Sequence, residues 1–181
     1  VRERRYLDEV IFLPAARPPH KQGQPLTSAK RRLEMLELAI AGYEPFSVNT
    51  MALDRDGVSF TVDTLELLHS ERPDDQLFLI MGGDSLVELP GWKSPQRICQ
   101  LATPVVVARP GAASVDSKIL HELLPELTDS EIDECLVRVP VIEISSTGIR
   151  ERVRLGQSIR FRTPRAVEKY IESHQLYQSR G

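Results

Sequence analysis

The fold is decided by the stretch Gln76-Leu-Phe-Leu-Ile-Met81, which is followed directly by Gly82-Gly-Asp-Ser85. Its apolar residues show no strict alternation with polar ones, which is typical of a strand buried on both faces. Two glycines directly after such a strand let the backbone come close to a ligand. Ligands of open parallel sheets bind beyond the carboxyl ends of the strands, so the residues after each apolar run are the candidates for chemistry.

Similar apolar runs recur along the chain, and helical patterns separate them. The other runs are Glu9–Leu13, Phe46–Thr50, Pro104–Ala108 and Val139–Ile144. The helical patterns are Ser28–Ala41, Thr61–Glu71, Ser94–Ala102, Ser114–Leu124, Thr147–Leu155 and Pro164–Ser173. Ser94 is the predicted cap of the third of these helices. The acidic segment Pro125–Glu134 has room for one more short helix. This alternation predicts an α/β fold, a parallel sheet with helices on both faces. Since no linker or repeat interrupts it, we expect one domain spanning residues 1–181.

Composition excludes several classes of protein. The chain has 181 residues, of which 41% are hydrophobic and 27% charged, as in a soluble globular protein. The longest unbroken apolar run, Leu77–Met81, is too short to span a bilayer. A net charge of −3 argues against a dedicated nucleic-acid binder. Cys99 and Cys135 have no nearby Cys or His partner, which suggests neither a disulfide framework nor a zinc site and fits a reducing cytoplasm.

The most informative motif is Ile144-Ser-Ser-Thr-Gly-Ile-Arg150, where a predicted strand gives way to a helix. A helix N-terminus offers free N–H groups and the positive end of the helix dipole to an anion. The hydroxyls of Ser146 and Thr147 add donors, and Arg150, about one turn into the helix, can fold back over the same anion. Residues 146–165 hold six Arg and one Glu. The alternative is a plain N-cap with a solvated arginine face, but a cap needs one hydroxyl and here three follow one another.

Three further post-strand segments have both a functional and a plain structural interpretation. Pro14–Lys21 presents His20 and Lys21 and suits a bound anion, or it is a solvated loop. Asp84 would cap the next helix and accept ribose hydroxyls, or the segment is an ordinary strand-to-helix turn. Trp92, the only tryptophan, would stack on a planar ring or serve as a partly buried anchor.

Five segments, in this order, resemble bacterial nicotinate-nucleotide adenylyltransferases. They are Leu13–Lys21, Ser59–Leu65, Met81–Leu86, Gly91–Lys93 and Ile144–Arg150. The resemblance implies a Rossmann-like nucleotidyltransferase fold. It also implies transfer of an adenylyl group from ATP to nicotinate mononucleotide, with Mg²⁺, giving deamido-NAD and pyrophosphate in NAD biosynthesis.

The resemblance further implies roles for the residues that follow the strands, with Lys21 and Arg150 as the catalytic pair. The implied ATP-binding residues are Gly83, Asp84, Ser146, Thr147 and Arg150, with Gly83 and Asp84 against the riboses and the others on the phosphates. The implied substrate-binding residues are His20 and Lys21 beside the reacting phosphates, Trp92 on the pyridine ring, the backbone amides near Thr61 and Lys93 on the nicotinate carboxylate, and Arg109. No residue is assigned to the metal.

This sequence differs from the family pattern at its N-terminus, and the difference leaves other functions open. The family begins with a strand, a Gly-Gly-Thr-Phe-type turn and a His-x-Gly-His signature, and none of these occurs in this sequence. We therefore expect an N-terminally incomplete domain, missing on the order of 20–30 residues, that is inactive and poorly folded because its sheet lacks a central strand. A sibling adenylyltransferase with another phosphate acceptor and a nucleotide-binding module without catalysis stay open as alternatives, as does assembly into a homo-oligomer.

Overall fold

A computed structural model of the chain describes residues 1–15, 27–53, 59–108, 117–140 and 142–178. They form two compact units, each with its own hydrophobic core. The first unit contains the described residues 1–7, 59–108 and 117–140, and the second contains 8–15, 27–53 and 142–178. The single domain expected from the sequence stays a prediction.

Strands and helices alternate through most of the described chain. The strands are β1 Val10–Phe12, β2 Phe46–Val48, β3 Phe78–Gly82, β4 Thr103–Ala108 and β5 Leu136–Arg138. The α-helices are α1 Ala29–Ile40, α2 Thr61–Glu71, α3 Gly83–Glu88, α4 Pro95–Leu101, α5 Lys118–Leu123, α6 Asp129–Glu134, α7 Ser146–Arg154 and α8 Arg165–Ser173. Short 3₁₀ helices occupy Glu3–Arg5 and Leu89–Gly91. No helix in these ranges is long and apolar enough to cross a membrane.

The first unit is built around a parallel sheet in the order β3-β4-β5. The central strand β4 is β-branched, and its residues Val105 and Val106 are both fully buried. Leu86 and Leu89, from the segment after β3, and Ile98 of α4 belong to the same buried core as Val106. Burying each of these side chains contributes about 1.5–3 kcal/mol, so this core fixes the segment that leaves the carboxyl end of β3.

The last predicted strand is wrong in its position. The sequence favours Val139–Ile144, whereas the strand that pairs with β4 is β5, Leu136–Arg138. The N–H of Val139 still donates to the carbonyl of Ala108 at 3.3 Å, but Pro140 has no N–H to continue the ladder. The chain therefore leaves the sheet at Pro140, and residues 142–145 are not a strand.

The second unit contains a parallel ladder of β1 and β2, with Val10 opposite Phe46 and Phe12 opposite Val48. Its core is formed by Ile159 together with Val167 and Ile171 of α8. Met35 of α1 and Ile149 and Val153 of α7 pack against that core, which holds α7 in place by its apolar face. All three strand pairings of the described residues are parallel, as predicted, and they form two sheets.

The two helix caps predicted at Ser94 and Asp84 differ in outcome. Ser94 is the N-cap residue of α4, as predicted, but it has a left-handed φ of 53° and its side chain makes no capping hydrogen bond. The cap predicted at Asp84 is wrong, since Asp84 lies inside the first turn of α3, whose N-cap residue is Gly82. Pro95 follows Ser94 as the first residue of α4, a position that proline favours.

Candidate active site

The N-terminus of α7 is capped by a single hydroxyl. The Oγ of Ser145 accepts a hydrogen bond from the N–H of Gly148 at 3.0 Å, so the helix begins at Ser146, one residue before the predicted Thr147. Ser146 and Thr147 are exposed in the first turn, and neither is needed for the cap. The first N–H groups of a helix have no partner within the helix, so this end of α7 offers amide and hydroxyl donors together.

The side chain of Arg150 reaches back to the first turn of α7. Its Nη2 donates to the Oγ1 of Thr147 at 3.2 Å. The next arginines along the helix are engaged elsewhere: Arg154 donates to both oxygens of Glu151, at 2.6 and 2.8 Å, and Arg152 donates to a backbone carbonyl at 2.8 Å. The guanidinium of Arg154 also holds the pKa of Glu151 below its ordinary value. Arg150 therefore differs from its neighbours, since the partner seen for it is a neutral hydroxyl on the helix's first turn.

The end of β3 leaves room beside the backbone. A Cβ placed on Gly82 would meet no atom of the described residues within 4 Å, and its φ of −81° is open to any residue. The backbone conformation at position 82 therefore does not require glycine. The open space beside Gly82 would allow a ligand to approach the backbone closely. Gly83 starts α3, and Asp84 is exposed in its first turn.

Trp92 follows the 3₁₀ helix Leu89–Gly91, and its backbone N–H donates to the carbonyl of Leu89 at 3.0 Å. The side chain is half-buried and packs against the core of the first unit. One part of the indole is thus an anchor, and the other part is exposed. Stacking on a ligand ring stays a prediction.

The start of α2 and the residue after Trp92 lie together. The Nζ of Lys93 is 2.8 Å from the Oδ1 of Asp63 and 4.9 Å from the ring centroid of Phe60. Phe60 immediately precedes Thr61, the first residue of α2, and Asp63 is in the first turn. The two segments that the resemblance implies for the nicotinate carboxylate, around Thr61 and Lys93, are therefore neighbours. Asp63 is not apparent from the sequence alone, because no local pattern links residues 30 positions apart.

The candidate residues fall into two described groups. Ser146, Thr147 and Arg150 come together in the second unit, and Thr61, Gly83, Asp84, Trp92 and Lys93 belong to the first. His20, Lys21 and Arg109 lie outside the described residues. Within the described ranges, no group of three or more His, Cys, Asp or Glu is placed to hold a metal ion.

Comparisons with known proteins agree with this picture. The model of the cytidylyltransferase-like family matches residues 2–152. A probable nicotinate-nucleotide adenylyltransferase of Thermomicrobium roseum is 42% identical over 179 residues, which cover 99% of this chain and 82% of the relative. One from a Roseiflexus species is 44% identical over 172 residues, 95% of this chain and 84% of the relative.

The fold has a counterpart among solved structures. The Plasmodium falciparum nicotinic acid mononucleotide adenylyltransferase complexed with NaAD matches with a TM-score of 0.72 at 16% identity, over 95% of this chain and 83% of that one. At 16% sequence identity this match shows the fold alone. The relatives with 42% and 44% identity show which group of enzymes within the family the chain belongs to. The chain belongs to the cytidylyltransferase-like family and, within it, to the nicotinate-nucleotide adenylyltransferases.

Proposed function

We propose that this protein transfers the adenylyl group of ATP to nicotinate mononucleotide, forming deamido-NAD and pyrophosphate in NAD biosynthesis. Membership of the family supports the reaction, since relatives about 40% identical over nearly the whole chain are named for it. The structural observation that carries the proposal is Arg150, folded over the first turn of α7 beside two exposed hydroxyls.

The chemistry of the reaction agrees with the residues that the chain offers. An oxygen of the mononucleotide phosphate, already anionic at pH 7, attacks the α-phosphorus of ATP. The bond from that phosphorus to the oxygen bridging to the β-phosphate breaks, and pyrophosphate leaves with the electron pair. No proton has to be removed from the nucleophile, so the protein has to position two polyanions and stabilise their charge. Amide donors and an arginine fixed before the reaction can do this.

The phosphates of ATP would bind at α7. Ser146 and Thr147 would donate from the first turn, and Arg150 would cover the same oxygens with its remaining donors. Gly83 and Asp84 would lie against the riboses, with the open space beside Gly82 giving the backbone access. By resemblance, His20, Lys21 and Arg109 would contact the reacting phosphates and the substrate, with Lys21 and Arg150 acting on the charge that develops.

The pyridine end of the mononucleotide would bind at the start of α2. The exposed part of Trp92 would stack on the ring, and the backbone amides of Thr61 and Lys93 would bind the carboxylate. The contact between Lys93 and the first turn of α2 supports this arrangement, because it keeps the two amide-bearing segments together.

The metal in this proposal belongs to the nucleotide. Among the residues that the structure describes, no group of three or more His, Cys, Asp or Glu is placed to hold a metal ion. Mg²⁺ commonly keeps several waters and binds through substrate phosphates, so it would enter with ATP.

The proposal is tested by supplying the purified protein with ATP and either nicotinate or nicotinamide mononucleotide, and by measuring dinucleotide and pyrophosphate separately. We expect equal amounts of deamido-NAD and pyrophosphate, and faster turnover of the acid mononucleotide. Faster turnover of the amide would instead identify a sibling adenylyltransferase. Binding of ATP with no pyrophosphate released from either mixture would identify a nucleotide-binding module without catalysis.

A further inference from the structure

One arginine of α1 contacts both ends of the segment that joins β1 to this helix. The Nη2 of Arg32 donates to the carbonyl of Ala15 at 2.7 Å, and its Nε donates to the carbonyl of Thr27 at 3.2 Å. Both hydrogen bonds are partly buried. Ala15 and Thr27 are the described residues on either side of segment 16–26, so one guanidinium links the points where the chain enters and leaves that segment.

The position of Arg32 in the helix explains how it reaches both carbonyls. Arg32 is the fourth residue of α1, and the side chains of a helix tilt towards its N-terminus, so the guanidinium lies near the residues that precede the helix. A guanidinium is planar and carries five N–H donors in a rigid fork. It can therefore hold two carbonyl oxygens in a fixed relation, whereas a lysine ammonium is a point charge on a flexible stem.

The helix that carries Arg32 is itself held in place. Met35 packs against the core of the second unit, and the hydroxyl of Tyr170, in α8, donates to the carboxylate of Glu34. Arg32 thus ties Ala15, three residues beyond the end of β1, to a helix that is fixed against α8.

The composition of segment 16–26 makes the position of its ends important. It contains Arg17 and Lys21 and no acidic residue, so no carboxylate within the segment can fix either cation. Three of its eleven residues are proline, and the locked φ of proline restricts the backbone. A restricted backbone transmits the position of its ends to the residues between them.

We propose that Arg32 is a positioning residue for adenylyl transfer, which holds both ends of segment 16–26 and thereby restricts where Lys21 can lie. The inference rests on the proposed function, in which Lys21 acts on the charge that develops at the reacting phosphates. A cation stabilises that charge best when it is fixed before the reaction, and a displacement of about 1 Å can cost about a hundredfold in rate. In this role Arg32 acts through Lys21 and not on the reacting atoms.

The role of Arg32 is tested by measuring kcat and KM for adenylyl transfer in two variants. Arg32→Met removes both hydrogen bonds, and Arg32→Lys keeps the positive charge without the planar fork. We expect each variant to lower kcat by about 10- to 100-fold with KM for ATP little changed, because the phosphate-binding groups of α7 stay in place. A lysine variant with the parental kcat would show that positive charge alone is sufficient, and would overturn the inference.

A double-variant comparison separates positioning from general damage to the fold. If Arg32 acts through Lys21, Arg32→Met should lower kcat by less than about twofold in a Lys21→Ala background, since the group that it positions is already absent. An equal loss in both backgrounds would show that the two residues act independently, and would overturn the inference. Arg32→Lys is taken through the same comparison, so the test does not depend on a stably folded methionine variant.

Arg31 provides a matched control on the same turn of α1. Its Nη1 donates to the carbonyl of His174 at 3.4 Å, so Arg31→Met removes an equal charge from the helix and leaves both contacts of Arg32 intact. The kcat of this variant should stay close to the parental value. A loss equal to that of Arg32→Met would point to the charge of α1 and not to the link between Ala15 and Thr27, and would overturn the inference.

The inference and the proposed function fail in different ways. A parent protein that joins neither mononucleotide to ATP refutes the proposed function, and the inference falls with it. A Lys21→Ala variant as active as the parent removes Lys21 from the proposed site and the inference with it. A parent that makes deamido-NAD and is impaired by Lys21→Ala, with Arg32 variants that keep the parental kcat, refutes the inference alone.

Discussion

Arg150 differs from the other arginines of α7 in the group that it contacts. A guanidinium has five N–H donors, and the contact with the Oγ1 of Thr147 uses one of them at the helix's first turn. A phosphate bound there would meet the remaining donors. We expect Arg150→Ala to lower kcat/KM for adenylyl transfer by roughly 10²–10³, the effect of removing one preorganised donor, in a steady-state assay of pyrophosphate release.

Arg154 is the control for this prediction, because it lies one turn further along and pairs with Glu151 through both carboxylate oxygens. Arg154→Ala removes the same charge from the same helix and should leave kcat/KM close to the parental value. Equal losses in the two variants would point to a general effect of positive charge and would remove Arg150 from the site.

Trp92 allows binding to be followed at one residue, since it is the only tryptophan in the chain. Its half-buried ring packs on the core, and the exposed part is available to a pyridine ring. We expect nicotinate mononucleotide to quench the intrinsic fluorescence, and we expect Trp92→Phe, which keeps an aromatic ring on the core, to raise KM for the mononucleotide more than for ATP. A spectrum unchanged at a mononucleotide concentration that calorimetry shows to be saturating would contradict stacking.

At the scale of single elements, α6 shows how a very short helix is held. Six residues cannot sustain a helix on their own. Here Thr128 and Glu131 form a capping box: the N–H of Thr128 donates to the Glu131 carboxylate at 2.8 Å, and the N–H of Glu131 donates to the Thr128 hydroxyl at 3.4 Å. Ile132 then anchors the helix in the core with 1% of its surface exposed.

Loss of the Thr128 hydroxyl should therefore lower the stability of the fold. We expect Thr128→Ala to lower the free energy of unfolding by about 1 kcal/mol, the usual effect of removing such a cap, in urea titrations followed by circular dichroism. Thr128→Ser keeps the hydroxyl and should stay near the parent. An alanine variant as stable as the serine variant would show that burial of Ile132 alone holds the helix.

The elements also show what a single sequence can reveal. The bounds of α2 follow directly from its apolar spacing and are confirmed. The sequence pattern misplaces the last strand because Val139–Ile144 is richer in β-branched residues than Leu136–Arg138. Register against β4 and the missing N–H of Pro140 decide where the strand lies. The partnership of Asp63 and Lys93 is fixed by the packing of α2 against the segment after Trp92, which no local pattern encodes.

At the scale of the whole molecule, two thiols lie inside the core of the first unit. Cys99 of α4 and Cys135, directly after α6, are both free and buried. Burial, with smaller contributions from Glu126 and from Cys135, raises the pKa of Cys99 from 9.0 to about 11. Burial also raises the pKa of Cys135 above its ordinary value. The folded state therefore favours the neutral thiols.

This preference makes the stability of the fold depend on pH in the alkaline range. Well below pH 9.0 both thiols are protonated whether the chain is folded or unfolded, so there they leave the free energy of unfolding independent of pH. As the pH rises from 9.0 towards 11, the unfolded chain releases its Cys99 proton and the folded chain keeps it, which favours unfolding. We expect the melting temperature to fall over this interval, and to fall less steeply in Cys99→Ala, although the cavity lowers the stability of that variant at neutral pH. Melting temperatures that fall in parallel in the two proteins from pH 8 to 11 would show that the buried Cys99 thiol does not carry the effect.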